Sequence, residues 1–148
     1  FDTSAFINPF RRYYPRHIFP SLWDLLENLI ESRTIVASVL VLKELEVKED
    51  QLVDYVRGFK SLFEPMTTTQ IAIVKDILAE FPKLVKPNAV REDADPFVIA
   101  LAKEKDLTVV SYERHGSAVH PKIPYVCSQL DVPHITFLEF LEQEGYRG

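Results

Sequence analysis

A chain of 148 residues, 47% of them apolar and ten of them Phe, suits one folded domain burying about two-thirds of its unfolded surface, which argues against disorder. A net charge of −5 counts against a surface broadly given to nucleic acid, and no apolar run reaches the roughly 18 residues of a spanning helix. The single Cys127 excludes a disulfide framework and a cysteine metal site, and it fits a reducing, cytoplasmic setting.

The chain opens Phe1-Asp2-Thr3-Ser4, an acid followed by two hydroxyls. This reads as the carboxyl end of a buried strand turning into a helix, with the strand's earlier apolar residues expected before Phe1. Asp2 is then either that helix's N-cap or a site residue at a sheet's carboxyl edge. Arg11, Arg12, Arg16 and His17 form a compact basic cluster interleaved with Tyr13 and Tyr14. Such a cluster is either a solvated loop with aromatics folded onto the core, or a set of contacts for phosphates and bases. After Pro20, Ser21 and Asp24 have the spacing of a capping box, and Leu22, Leu25, Leu26, Leu29 and Ile30 trace one helical face beside Trp23.

Residues 35–37 are short and β-branched, as a buried strand should be. Ser38 can cap a following helix that turns Val41, Leu42, Leu45 and Val47 inward and leaves Glu44 at the edge of that face. A helix over 50–63 follows, stopped by Glu64-Pro65. Thr67, Thr68 and Thr69 offer caps for the next, with Ile71, Val74, Ile77, Leu78 and Phe81 at helical spacing, and Pro82 and Pro87 bracket a loop. Asp95-Pro96 combines an N-cap with a first-turn proline for a helix over 97–105, and Glu92 and Asp93 lie close enough to assist. Residues 107–111 are the clearest strand. Glu113 follows it by two positions, inside a loop over 112–124 that holds Gly116 and Pro121. A short strand at 134–136 and a helix over 137–144 close the chain. Strands alternating with helices predict one three-layer α/β domain over residues 1–148, with a central parallel sheet flanked by helices.

Each acid alone has an ordinary explanation as a cap or a surface charge. In a parallel sheet, however, strand ends and adjoining helix starts gather at one edge. Two carboxylates about 4 Å apart repel by roughly 4 kcal/mol at an effective dielectric of 20, so a cluster of them calls for cations. Oxygen-only, cysteine-free ligation suits Mg²⁺ or Mn²⁺ better than zinc.

The order Asp2-Thr3-Ser4, Lys43-Glu44-Leu45, Asp95-Pro96-Phe97-Val98-Ile99-Ala100-Leu101-Ala102 and Val109-Val110-Ser111-Tyr112-Glu113 resembles the PIN-domain ribonucleases. Residues 2–7, Arg12-Tyr13-Tyr14-Pro15 and Ile123-Pro124 with Val126-Cys127 are closer still to a PIN-like branch that looks like the toxins of toxin–antitoxin pairs. The resemblance covers essentially the whole chain. It implies a PIN-like fold and a Mg²⁺- or Mn²⁺-dependent endoribonuclease whose catalytic and metal-holding acids are Asp2, Glu44, Asp95 and Glu113. Many PIN domains have Asp where this chain has Glu113. Ser4, Ser111 and Asp93 are implied as supports, and Arg11, Arg12, Arg16 and Lys122 as contacts for RNA phosphates. His17, His115 and His120 are further candidates for phosphate contact or general acid. A cognate antitoxin and a second copy of the chain are the implied protein partners. Two other enzymes fit poorly: a haloacid-dehalogenase phosphatase needs an Asp where Ser4 stands, and a receiver domain needs a nucleophilic Asp near Glu113. A PIN-shaped RNA-binding or protein-interaction module without robust nuclease activity is the alternative from another class.

Overall fold

Two parallel strand pairs organise the protein. Ala37–Ser38 (β1) pairs with Phe63–Glu64 (β2), and Val109–Ser111 (β3) pairs with His134–Thr136 (β4). The computed structural model describes residues 1–48, 50–87 and 93–148. Around the strands lie helices Thr3–Asn8 (α1), Pro20–Glu31 (α2), Val39–Glu46 (α3), Gln51–Arg57 (α4), Thr68–Glu80 (α5), Asp95–Lys105 (α6), Ile123–Gln129 (α7) and Phe137–Gln143 (α8). The result is a mixed α/β fold, mostly helical, with short parallel strands. Among the described residues no helix is long and apolar enough to cross a membrane.

The first two residues run between the strand pairs. The Phe1 nitrogen donates to Val36 O at 2.7 Å, and the Asp2 N–H donates to Val110 O at 3.0 Å. Successive residues of an extended chain point their amides to opposite sides, so this dipeptide touches both ladders at once. The Phe1 ring locks the arrangement from one face, packing edge-on against Phe137 and Phe140 with centroids 6.0 and 5.0 Å away. The assigned strands form two pairs rather than the single central sheet expected from the pattern.

The helices follow from their caps and their apolar faces. In α2, Leu22, Leu26 and Ile30 are buried at the expected spacing, and the Trp23 indole N–H donates to Tyr14 O at 2.7 Å, which makes Trp23 a core residue. Ser38 and Thr67 cap α3 and α5, accepting the N–H of Leu40 and of Gln70. The capping box at Ser21 does not form. Phe19 takes the N-cap position of α2, and the Ser21 hydroxyl lies 3.2 Å from that of Tyr146.

Other expectations shift for identifiable reasons. The strand expected at 35–37 is assigned at Ala37–Ser38, and the one expected at 107–111 at Val109–Ser111. α4 stops at Gly58, and Phe63–Glu64, expected at a helix end, pairs with β1 instead. Val47 lies past the last turn of α3 and is exposed. Pro124, expected at the end of a loop, sits in the first turn of α7, where its missing N–H costs nothing, and Ile123, Val126 and Cys127 are buried behind it. These placements bring the starts of α1, α3 and α6 and the end of β3 to one side of the molecule.

Candidate acidic metal site

Asp2 does two things with two oxygens. Its backbone is extended, and Oδ2 accepts the Ser4 N–H at 3.2 Å and the Ser4 hydroxyl at 2.6 Å, capping α1. Oδ1 is buried without a hydrogen-bond partner in a residue only 2% exposed. A buried, unsatisfied carboxylate oxygen is costly and points to a missing ion or water. Ser4 Oγ also accepts the Tyr112 N–H at 3.0 Å, which ties α1 to the chain just before Glu113.

Glu44 projects from α3 and joins two helix starts. Its Oε2 accepts the Thr3 hydroxyl and its Oε1 accepts the Ala94 N–H, each at 2.7 Å. The sequence pattern made Asp95 the N-cap of α6. Ala94 holds that position instead, because the Asp93 carboxylate already takes the Asp95 N–H at 3.0 Å. The Asp95 carboxylate is therefore free of capping and sits in the first turn of the helix, where negative charge is favourable.

Oxygens of Glu44, Asp93 and Asp95 lie within 4.8 Å of one another. Asp93, expected only as a support, is one of the three. Asp2 and Glu113 lie close enough to act on Asp95: burial, then the charges of Asp2, Asp93, Glu113 and Glu44, hold its carboxyl well above the usual range. Burial raises the Glu44 carboxyl too, opposed by its bonds from Ala94 and Thr3. The same holds for Glu113, where the Ile123 N–H donates to Oε2 at 3.0 Å and opposes the rise. Among the described residues, Ser111 touches no acid side chain through a hydrogen bond. Its Oγ accepts the Glu113 N–H at 3.3 Å and pairs with His134 Nε2 at 2.7 Å, so it positions the backbone of Glu113. Glu92 lies outside the described residues.

Glu44, Asp93, Asp95 and Glu113 line an open cavity of about 450 Å³. Exposed Lys83, Lys86, His120 and Lys122 line it as well. Lys83 and Lys86 escaped the sequence reading, since nothing local separates them from any other surface lysine. The described lining does not include Arg11, Arg12 or Arg16. Arg11 pairs with Asp50, the N-cap of α4, at 2.7 Å. Arg16 pairs with Glu27 at 2.9 Å and lies over the Tyr55 ring. Arg12 and His17 are exposed, and Tyr13 stacks on Tyr112, which in turn stacks on Phe137. The backbone carbonyl of His115 accepts the Tyr125 N–H, and the two rings meet edge-on.

No curated protein and no solved structure matches the chain. The family described as a domain of unknown function, DUF4411, matches residues 1–147, and the chain belongs to that family.

Proposed function

We propose that the acidic cavity holds Mg²⁺ or Mn²⁺ and that the protein is a metal-dependent endoribonuclease of PIN type. The observation that carries this reading is the Asp2 Oδ1 atom, buried without a partner beside the Glu44–Asp93–Asp95 cluster. The donor set is all carboxylate, which favours hard cations over zinc. When bound, such a cation supplies water activation and neutralises charge developing on a phosphodiester undergoing hydrolysis.

The chain's own residues supply preorganisation. Ser4 fixes Asp2 Oδ2 and leaves Oδ1 open, Thr3 and the Ala94 N–H fix Glu44, and the Ile123 N–H fixes Glu113. Asp95 and Asp93 complete the acidic floor, and the lysines on the same cavity favour an anionic substrate. In this reading the two strand pairs and the dipeptide between them form one central parallel sheet between helical layers. The resemblance to toxins of toxin–antitoxin pairs makes a cognate antitoxin and a second copy the expected protein partners, in the cytoplasm.

One observation favours the alternative, an RNA-binding or interaction module without robust nuclease activity. Both oxygens of Glu44 are already satisfied inside the protein, so this acid has a structural role without any cation. Calorimetric titration with Mn²⁺ separates the two, together with cleavage of RNA by wild type and Asp95→Asn. Binding that Asp2→Asn and Asp95→Asn abolish, with cleavage confined to wild type, supports the nuclease. No Mn²⁺ binding by wild type, or equal cleavage by both proteins, refutes it.

A further inference from the structure

We infer that Lys83, Lys86 and Lys122 hold the phosphates of a single nucleic-acid strand passing over the acidic cavity, an inference that rests on the nuclease reading above. Lys83 and Lys86 come from the turn after α5 and the residues beyond it, and Lys122 immediately precedes α7. Phe81 and Tyr125 meet edge-on at 6.2 Å and join these two stretches, and the three lysines line the same cavity.

These lysines stand beside at least four carboxylates, yet none makes an ion pair with a carboxylate among the described residues. Lys122 acts on Glu113 through space and opposes the rise of its carboxyl. No lysine of the cavity is locked in a contact ion pair among the described residues, however, which suits two ligands of opposite sign, a cation among the acids and an anion beside the lysines. Overall charge sharpens the point. A protein of net charge −5 repels a polyanion at long range, so attraction has to be local. Of the three arginines that looked most apt, Arg11 is engaged with Asp50 and Arg16 with Glu27, and Arg12 is exposed but is not among the residues that line the cavity. Lysine ammonium groups on flexible stems are point charges that follow a phosphate backbone without demanding one base sequence. A cavity whose lysines are exposed and whose acids are half-buried admits one strand's phosphate more readily than a duplex, whose paired bases keep the two backbones apart.

The test is fluorescence anisotropy of a labelled 2′-O-methyl oligouridylate, titrated with the full chain in Mn²⁺ over a range of salt. Each of Lys83→Gln, Lys86→Gln and Lys122→Gln should weaken binding and reduce the steepness of the log–log salt dependence by about 0.7, the single-strand value per phosphate neutralised. The triple variant should lose most of the salt-dependent affinity, while Mn²⁺ affinity by calorimetry is equal to or tighter than that of wild type, because the lost charges repel a cation. Lysine variants with wild-type affinity and slope would overturn the inference, as would a duplex that binds as tightly as the single strand. Failure of wild type to bind Mn²⁺ sinks the nuclease reading instead, and the salt slopes measured without metal still judge the lysines.

Discussion

Glu44 on α3 accepts the Ala94 N–H at 2.7 Å, across 50 residues of chain, and so one carboxylate fixes the first turn of the helix that carries Asp95. The same side chain takes the Thr3 hydroxyl from α1 with its other oxygen. It is the brace between two of the acids it sits among.

Glu44→Ala leaves a backbone donor and a hydroxyl without acceptors in a partly buried site. We expect a loss of about 2 kcal/mol in urea unfolding without metal, and a smaller loss for Glu44→Gln, which keeps one acceptor oxygen. A Glu44→Ala protein as stable as wild type would remove the bracing role.

Asp95 has the opposite balance. Its carboxyl is half-buried beside Asp2, Asp93, Glu113 and Glu44 and is raised by desolvation and by their charges, which means that ionising it strains the folded state. Asp95→Asn keeps the shape and cannot ionise, so folding no longer has to hold a carboxyl protonated at neutral pH. In chelator at neutral pH it should melt higher than wild type by about 3 °C, corresponding to about 1 kcal/mol at this chain length. Adding Mn²⁺ should raise the wild-type melting point and leave the variant's unchanged. A variant that melts lower in chelator contradicts the charge-strain account.

Gly116 has φ +80°, and a Cβ there would lie 2.7 Å from the Lys122 backbone nitrogen and 2.8 Å from its side-chain Cβ. Both the backbone geometry and the space require glycine. Gly116→Ala should destabilise the loop by about 1–3 kcal/mol and displace Lys122, weakening oligonucleotide binding while leaving Mn²⁺ affinity near wild type. Unchanged oligonucleotide binding in a folded Gly116→Ala protein would separate this loop from the ligand.

Cys127 is fully buried on α7, and burial, with the charges of Glu113 and Asp2, pushes its thiol up to about 12. A thiol held in that state is a packing residue and a poor nucleophile. The native protein should resist a thiol-specific reagent at neutral pH, and denaturant should release one reactive thiol per chain. Rapid labelling under native conditions would count against the buried α7.

How much of this was legible beforehand depends on the range of the interaction responsible. The α2 face of Leu22, Leu26 and Ile30 and the caps at Ser38 and Thr67 are local, and periodicity and cap chemistry reveal them. The β2 dipeptide has no strand signature of its own and becomes a strand only by pairing with β1. α7 was hidden by Pro124, because a proline marks a helix start as readily as a break. At the site, the acids stood out by type and order. The capping of Asp95 by Asp93 depends on a turn that no pattern announces, and the withdrawal of Arg11 from the surface depends on Asp50, 39 residues away.

Asp2 divides its labour between main chain and side chain. Its amide joins Val110 and needs only a backbone N–H, so any residue but proline can keep that bond. Its carboxylate contributes one oxygen to the helix cap and leaves one over. The strand-like pairing at this position is therefore indifferent to the side chain, the helix cap needs one side-chain oxygen, and the surplus oxygen serves neither. An isosteric Asn can keep one oxygen for the cap while putting an amide NH₂, which cannot ligate a cation, in place of the surplus oxygen.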